Sequence, residues 1–241
     1  MYSFNASRGA VEFSHAYQPI IDTHNNSVFA FEVLLRGPSG NAPIDVLRQL
    51  RDDELEPFDH FSRSKAIERF VDSLPNQRLS FNFTIDALTK NQGYFFDRLL
   101  RSLEEYKVDP SQVIVEITEG DVIHGVYGLK AAVKMIRESG AKVAIDDFGS
   151  GYAGLNALAE VNPDILKIDQ YLIRDIHNTG IKRTLVNAVQ GVCLDMGIDL
   201  IAEGVETEQE LNTLNNIGIH LIQGFCTAKP LTIEQVIEQY S

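Results

Sequence analysis

The feature that most constrains the fold is a regular alternation between short apolar runs and longer amphipathic segments. The short runs have the length and the β-branched and aromatic content of buried strands. The longer segments carry apolar residues at helical spacing and close on glycine, most clearly at 128–140, 181–197 and 207–218. Alternating strands and helices predict a parallel sheet. Strands are predicted at 16–21, 28–35, 79–83, 113–117, 142–146, 164–168, 198–202 and 220–225.

The first two predicted strands are connected differently from the others. Only the turn-rich segment DTHNNS separates them, and so short a connection suits an antiparallel hairpin rather than a parallel crossover. The pattern of about eight strands with about seven covering helices predicts an α/β fold, a modified TIM-like (β/α)8 barrel with one antiparallel strand near the N-terminus. A doubly wound open sheet is the competing architecture. The length and the lack of a linker-like segment favour one domain over residues 1–241.

The charge balance narrows the classes of partner. The 21 Lys and Arg residues against 34 Asp and Glu residues give a net charge of −13, which disfavours nonspecific binding to nucleic acid or to an anionic membrane. The two cysteines, Cys193 and Cys226, lack the spacing of a metal or redox motif and are expected to be free thiols. No leader-like N-terminus and no apolar run approaching about 18 residues is seen. A cytoplasmic protein is therefore expected.

Nearly every predicted strand ends with, or is followed by, a polar side chain. In a barrel the carboxyl ends of the strands meet at one face, and barrel enzymes place their chemistry there. For any single acid, a helix cap or a solvated loop is the simpler explanation. The whole set includes amides and a lysine, and it favours a site that holds divalent cations through oxygen ligands. The side chains are Glu32, Arg36, Asn82, Glu116, Glu119, Asp146, Asp147, Lys167, Asp169, Glu203, Glu206 and Gln223.

The segment VAIDDFGSGYAG at 143–154 supports two interpretations. Its three glycines have the G-x-G-x-x-G spacing of a dinucleotide-binding turn. Two aspartates directly before them would repel a pyrophosphate and suit cations better. Asp146 and Asp147 are adjacent, so both reach one site only if the chain turns there, and Gly149 and Gly151 are expected to permit that turn. Two cations about 3.5–4 Å apart form the arrangement that cleaves phosphodiesters.

Lys167 is the lysine of this set, and its role is open on the residues alone. Beside a pair of cations it would orient an attacking water or steady developing charge. Alternatively, its role would be limited to an ion pair with Asp169 or Glu203. The chain offers no competing set of histidine or cysteine ligands, because its six histidines are scattered along the sequence.

The chain also carries a series of ordered motifs. They run from about residue 16 to about residue 238, and together they resemble the EAL-domain family of cyclic di-GMP phosphodiesterases. The resemblance implies a modified (β/α)8 barrel that hydrolyses one phosphodiester bond of cyclic di-GMP, giving linear pGpG, with two Mg²⁺ or Mn²⁺ ions. The motifs are YQPI at 17–20, EVLLR at 32–36, SFNFT at 80–84, VEITE at 115–119, DDFGSGYAGL at 146–155, LKID at 166–169, AEGVE at 202–206 and QGF at 223–225.

The resemblance implies a set of metal ligands at matching positions. Asp146 would bridge the two ions, and Asp147 and Glu203 would help to hold the second. The ligands of the first ion would be Glu32, Asn82, Glu116 and Asp146.

The resemblance also implies roles in catalysis and in substrate binding. Lys167 and Glu203 would position or activate the water, and Glu119 would steady the catalytic loop that follows Asp147. Two further side chains would support the ligands and the water molecules around them, Gln223 and Glu206. Substrate contacts would come from Gln18, Arg36, Asp169 and Pro230.

The chain departs from the family pattern near Glu32. The signature triplet is Glu-Val-Leu in place of Glu-Ala-Leu, and Val33 should point away from the site because neighbouring side chains on a strand alternate. After Arg36, the segment GPSGNAPIDVL replaces the family's commoner aromatic segment, which leaves guanine recognition on this side open.

Other functions on the same fold remain as alternatives. One is a receptor that binds cyclic di-GMP without cutting it, and another is a module that binds a protein partner. An enolase-type metal barrel is disfavoured, since Asn82 and Arg36 would have no role there. The resemblance also suggests a homodimer with its contact near the loop that follows Asp147.

Overall fold

The computed structural model describes residues 1–89, 94–123, 128–151 and 154–240. Within these ranges the strands form one sheet in which sequence neighbours pair. The strands are β1 Tyr2–Ala6, β2 Gly9–Asp22, β3 Ser27–Arg36, β4 Leu79–Asn82, β5 Val113–Thr118, β6 Lys142–Phe148, β7 Ile165–Ile168, β8 Asp199–Ala202 and β9 Leu221–Ile222.

The sheet closes into a barrel because β2 pairs with β9 as well as with β3. Both of these pairings of β2 are antiparallel, whereas each neighbouring pair from β3 to β9 is parallel. The predicted TIM-like barrel with one antiparallel strand near the N-terminus is therefore confirmed. The doubly wound open sheet is wrong, because an open sheet would leave β2 and β9 as separate edges.

Helices pack against the outer face of the barrel. The three predicted at 128–140, 181–197 and 207–218 are confirmed, with ends shifted by one or two residues. In the last of them, Thr207 and Glu210 form a capping box, and Gly218 ends the helix at a φ of 93°. The helices are α1 Pro43–Leu47, α2 Asp52–Val71, α3 Ile85–Thr89, α4 Tyr94–Glu105, α5 Glu119–Ile123, α6 Leu129–Glu138, α7 Leu155–Val161, α8 Gln170–Ile173, α9 Gly180–Met196, α10 Glu208–Ile217 and α11 Ile233–Tyr240.

The N-terminal segment differs from the prediction. Strand β2 begins at Gly9 rather than at residue 16, and its first half forms an antiparallel hairpin with β1 outside the barrel. Side chains of this hairpin pack on α1 and α2 in a separate apolar cluster, where the rings of Phe13 and Phe58 lie 5.0 Å apart. Apolar or aromatic side chains at every second position from Val11 to Tyr17 are the strand signal in this region.

The floor of the barrel interior is apolar. It is a buried cluster distinct from the larger core that lies between the barrel and its helices. Since side chains on a strand alternate between the two faces, a residue two positions farther along a strand than a floor residue also points inward. The floor consists of Ile20, Ala30, Ile114, Ala144, Ile165 and Ile201.

His15 provides a test of the packing of the N-terminal hairpin. Its ring is buried, Nε2 lies 2.9 Å from Ser62 Oγ, and burial lowers its pKa to about 4. The folded-state pKa lies below the ordinary value of 6.5. The contribution of His15 to the free energy of unfolding is therefore fully present above pH 6.5 and is lost as the pH falls towards 4. Between pH 7.5 and 5.5 we expect His15 to contribute a loss of about 1 kcal/mol in the free energy of unfolding.

The measurement is urea unfolding at both pH values for the wild type and for His15→Gln. The variant should lose about 1 kcal/mol less than the wild type over this range. His24→Gln, which changes an exposed histidine in the β2–β3 turn, is the control. Equal losses in the wild type and His15→Gln would show that the ring is not held neutral by burial.

Candidate functional site

A layer of charged side chains lies directly above the apolar floor, towards the carboxyl ends of the parallel strands. In each of five cases the charged residue follows a floor residue by two positions, so both side chains point into the barrel. Distant parts of the chain therefore place five charges in one layer. The pairs are Ala30 with Glu32, Ile114 with Glu116, Ala144 with Asp146, Ile165 with Lys167, and Ile201 with Glu203.

Lys167 lies at the centre of this layer, and its side chain is fully buried. It contacts Glu203, one of the two partners that the sequence suggested, but no ion pair with Asp169 is found in the described part of the chain. One ammonium group therefore faces four carboxylates, and the layer carries excess negative charge. The distances from Lys167 Nζ are 2.7 Å to Glu203 Oε1, 3.0 Å to Glu116 Oε1, 3.1 Å to Asp146 Oδ1 and 3.6 Å to Glu32 Oε2.

Burial strongly perturbs the proton affinity of this layer. Burial raises the pKa of Glu116 to about 8, although Lys167 acts in the opposite direction. Burial also raises the pKa of Glu203 well above its usual range. Burial and the nearby Asp146 raise the pKa of Asp147 to about 6. Burial acts to lower the pKa of Lys167, but the surrounding carboxylates, Glu116 foremost, bring it well above its usual range. At neutral pH the lysine is charged while Glu116 and Glu203 favour their protonated forms.

Several oxygen atoms in this layer are buried without a hydrogen-bond partner. Among the described residues they include Glu116 Oε2 and Gln223 Oε1, whereas Asp146 Oδ1 also has no hydrogen bond but lies 3.1 Å from Lys167 Nζ. Such an atom costs about 1–3 kcal/mol when it is left unpaired. One carboxylate oxygen from each of Asp146, Asp147 and Glu203 lies within 4.8 Å of the others. A site with oxygen ligands and unpaired lone pairs fits a hard divalent cation such as Mg²⁺ or Mn²⁺.

Two amide side chains hold the carboxylate of Glu32. Asn82 Nδ2 donates to Glu32 Oε1 at 2.8 Å, and Gln223 Nε2 donates to Glu32 Oε2 at 2.5 Å. Because each amide donates through its nitrogen, its oxygen is left available as an acceptor or ligand. Ser80, which precedes Asn82 by two residues, donates to Glu116 Oε1 at 2.6 Å. The sequence analysis missed Ser80, although the period of two along β4 places it on the same face as Asn82.

The turn that brings Asp146 and Asp147 to one site occurs at Asp147 itself. Its φ is 56°, and the pairing of β6 with β7 is irregular between Ile145 and Phe148. The prediction that the following glycines supply the turn is correct only in part: Gly149 has a positive φ of 93°, whereas Gly151 does not have a positive φ. Aspartate is among the few residues that tolerate this region, at some cost in strain.

Glu119 holds the loop that follows Asp147. Its carboxylate is buried and accepts hydrogen bonds from the backbone N–H groups of Gly149 at 2.7 Å and Gly154 at 2.8 Å. Tyr152 and Ala153, which belong to the same predicted turn, lie outside the described residues. Glu119 therefore joins the end of β5 to the loop of β6 without entering the charged layer.

A cavity of about 320 Å³ opens above the charged layer. The side chain of Asp169 also caps α8 by accepting from the N–H of Tyr171 at 2.8 Å, and Glu206 also forms an ion pair with Arg174 at 3.1 Å. The cavity thus collects eight of the predicted site residues. They are Gln18, Glu32, Asp146, Asp147, Asp169, Glu203, Glu206 and Gln223.

Arg36 and Pro230 are not among the residues that line this cavity. Arg36 donates through Nη1 to the carbonyl oxygen of Leu35 at 2.8 Å. Pro230 precedes Leu231, whose backbone pairs with that of Tyr17, so it lies close to the strand that carries Gln18. The substrate roles of Arg36 and Pro230 stay predictions.

The cavity wall also includes residues that the sequence analysis did not single out. They include Gln170, Gly224 and Phe225, and Phe225 is 55% exposed. The predicted strand at 220–225 extends only over Leu221–Ile222. Gly224 then packs so tightly that a Cβ there would lie 2.2 Å from the carbonyl oxygen of Val205. Phe225 follows Gly224 directly and lines the cavity.

Comparisons with known proteins identify relatives of this chain. The family described as EAL domain matches residues 4–230. The blue light- and temperature-regulated antirepressor BluF of Escherichia coli K12 is 31% identical over 215 residues, which are 89% of this chain and 53% of BluF. Cyclic di-GMP phosphodiesterase PdeR of the same organism is 30% identical in an alignment of 223 positions that covers 89% of this chain and 33% of PdeR.

A solved structure shows the same architecture. Klebsiella pneumoniae BlrP1, in a complex with calcium and cyclic di-GMP, matches with a TM-score of 0.85 and 35% identity over 91% of this chain and 56% of BlrP1. The chain thus spans about half of BluF and BlrP1 and a third of PdeR. No helix in the described ranges combines the length and the apolarity needed to cross a bilayer. By the family match over residues 4–230 and these likenesses, the chain belongs to the EAL domain family.

Proposed function

We propose that this protein is a metal-dependent phosphodiesterase that hydrolyses one phosphodiester bond of cyclic di-GMP to give linear pGpG. The observation that carries the proposal is the convergence of Glu32, Glu116, Asp146 and Glu203 around Lys167 beneath an open cavity. PdeR, which is named as a cyclic di-GMP phosphodiesterase, and BlrP1, solved with cyclic di-GMP and calcium, support the choice of substrate.

The charge of the site argues that cations take part. A phosphodiester is anionic, and an acidic cavity in a chain of net charge −13 repels it. Two Mg²⁺ or Mn²⁺ ions would supply Lewis acidity and lower the pKa of water when bound. The first ion would be held by Glu32, Asn82, Glu116 and Asp146. The second ion would be held by Asp147 and Glu203, together with Asp146.

The protein's own groups have distinct tasks in this proposal. Lys167 balances part of the buried negative charge and donates hydrogen bonds to the attacking water. Glu203, whose Oε1 lies 2.7 Å from Lys167 Nζ, is placed to accept a proton once metal binding has displaced its own proton. Gln18 and Asp169 line the cavity, where they can contact the substrate. Gln223 fixes the orientation of Glu32.

A second candidate is a receptor or protein-binding role without hydrolysis. It is favoured by the likeness to BluF, which is named as an antirepressor rather than as a phosphodiesterase. The ligand set argues against it, because a receptor has no need of both Lys167 and adjacent Asp146 and Asp147. Incubation with cyclic di-GMP and Mg²⁺ or Mn²⁺ separates the two, since only the enzyme yields pGpG, while tight binding without product would establish the receptor.

The role of Glu32 is tested by the variant Glu32→Ala. It removes a carboxylate held by two amides and facing Lys167, so the rate of pGpG formation should fall by more than about a hundredfold. Circular dichroism and the unfolding midpoint should show a retained fold. Glu12→Ala, which changes an exposed glutamate on β2, is the control and should keep full activity. Activity of Glu32→Ala close to the wild-type level would contradict the assigned role.

Metal binding should release protons. Burial keeps Glu116 and Glu203 protonated at neutral pH, because the pKa of each is raised. A cation requires the carboxylate forms, so its affinity should fall as the pH drops and should rise at least about tenfold between pH 6 and 7.5. Calorimetric titration with Mn²⁺ in buffers of different ionisation enthalpy measures the protons released. An observed heat that is the same in all buffers would count against this account.

The loop contact of Glu119 is tested by Glu119→Gln. The amide has one acceptor oxygen, so one of the N–H groups of Gly149 and Gly154 loses its partner, which costs about 1–3 kcal/mol. Asp147 is then held less well, and Mn²⁺ affinity and turnover should fall about tenfold or more, with partial recovery at high Mn²⁺. Glu160→Gln, at a glutamate 58% exposed on α7, is the matched control. Equal behaviour of the two variants would exclude a role for the loop contact.

A further inference from the structure

Arg63 is a largely buried cation outside the charged layer. It lies on α2, and its side chain is only 14% exposed. Asp59, one turn earlier on the same helix, forms an ion pair with its Nη1. A guanidinium is costly to bury, and one acidic partner leaves most of its donors free to bind elsewhere. The remaining N–H groups of Arg63 therefore need acceptors elsewhere in the structure.

The guanidinium reaches from α2 to the end of strand β4. Its Nη2 donates to the backbone carbonyl oxygen of Asn82 at 2.9 Å. Its central carbon lies 3.6 Å from the centroid of the Phe83 ring, which is the geometry of a close cation–π contact. Arg63 thus holds two successive residues, and the first of them is the amide that binds Glu32.

The sheet itself does not hold this end of β4 on both sides. The N–H of Phe83 donates to the carbonyl oxygen of Glu116 on β5. Because successive residues alternate in direction, the carbonyl of Asn82 faces the opposite side, towards β3. The pairing of β3 with β4 ends at Glu32 and Ser80, two residues short of Asn82. Arg63 supplies the donor that the missing stretch of β3 ladder would have provided.

We propose that Arg63 is a positioning residue for the metal site. By fixing the Asn82 peptide and the Phe83 ring, it sets the direction of the Asn82 side chain, whose nitrogen binds Glu32 and whose oxygen is left for a cation. The inference rests on the proposed function, because it gives Asn82 a task only if the site holds a metal ion. A lysine could not replace Arg63, since it lacks the planar fork that binds Asp59 and Asn82 together.

The test compares Arg63→Met and Arg63→Lys with Arg69→Met. Arg69 lies on the same helix and pairs with Glu234, but its side chain is 51% exposed and contacts no site residue in the described structure. Mn²⁺ affinity is measured by electron paramagnetic resonance of the free ion, and the unfolding midpoint and turnover of cyclic di-GMP are measured on the same samples. All affinities are taken at a temperature well below the lowest unfolding midpoint.

We expect both Arg63 variants to bind Mn²⁺ about tenfold or more weakly than the wild type, with turnover recovering as Mn²⁺ is raised. Arg69→Met should match the wild type. Arg63→Lys keeps the charge and the aliphatic stem, so it remains informative if Arg63→Met is too unstable to study. A lowered unfolding midpoint with wild-type Mn²⁺ affinity in Arg63→Lys would reduce Arg63 to a structural residue and overturn the inference. Absence of Mn²⁺ binding by the wild type would instead overturn the proposed function, so the two failures are distinct.

Discussion

The contact of buried Lys167 with four carboxylates is the interaction on which the site depends. Taking charges out of water costs several kilocalories per mole for each ion, and attraction between opposite charges offsets this only when the numbers match. Here the one lysine faces Glu32, Glu116, Asp146 and Glu203. The excess negative charge has to be offset by protons or by added cations, so the raised carboxyl pKa values and the proposed affinity for metal ions follow from one arrangement.

The charged and amide side chains of the site differ in what holds them in place. Glu116, Asp146 and Lys167 belong to strands and stand two residues above an apolar floor, so their directions follow from the barrel itself. Asp147 lies at a strained turn and depends on Glu119, which binds the loop beyond it. Asn82 is the last residue of its strand and depends on Arg63. The side chains that need help are those placed where the regular hydrogen bonding of the sheet stops.

Much of this site could be predicted from the sequence, because a strand places every second side chain on one face. The spacing of Ile114 and Glu116, or of Ile165 and Lys167, already links an apolar floor to a charged layer once the barrel is assumed. The same period was available for Val11 to Tyr17, yet there the apolar face packs on α1 and α2 outside the barrel. A pattern of alternation indicates a strand but does not reveal which surface covers it.

The contacts that hold strand ends and loops could not be read in the same way. The spacing of Asp59 and Arg63 on one helix indicates their ion pair, but nothing in the sequence indicates that Arg63 meets Asn82. That contact depends on how α2 crosses the barrel and on where the pairing of β3 with β4 ends. Similarly, the left-handed conformation of Asp147 follows from the irregular pairing of β6 and β7 rather than from residue type. Local patterns specify elements, whereas these contacts arise only after the elements have packed.

Helix α2 connects the N-terminal hairpin with the site. Phe58 on this helix is buried in the apolar cluster of the hairpin, and Arg63, little more than one turn later, binds the Asn82 peptide. A helix is stiff over so short a distance, so the packing that fixes Phe58 also fixes the base from which Arg63 reaches β4. The hairpin lies outside the barrel and contributes no ligand, yet by this path its packing helps to determine the geometry of an amide beside Glu32. The order of dependence therefore runs from the hairpin through α2 to the charged layer.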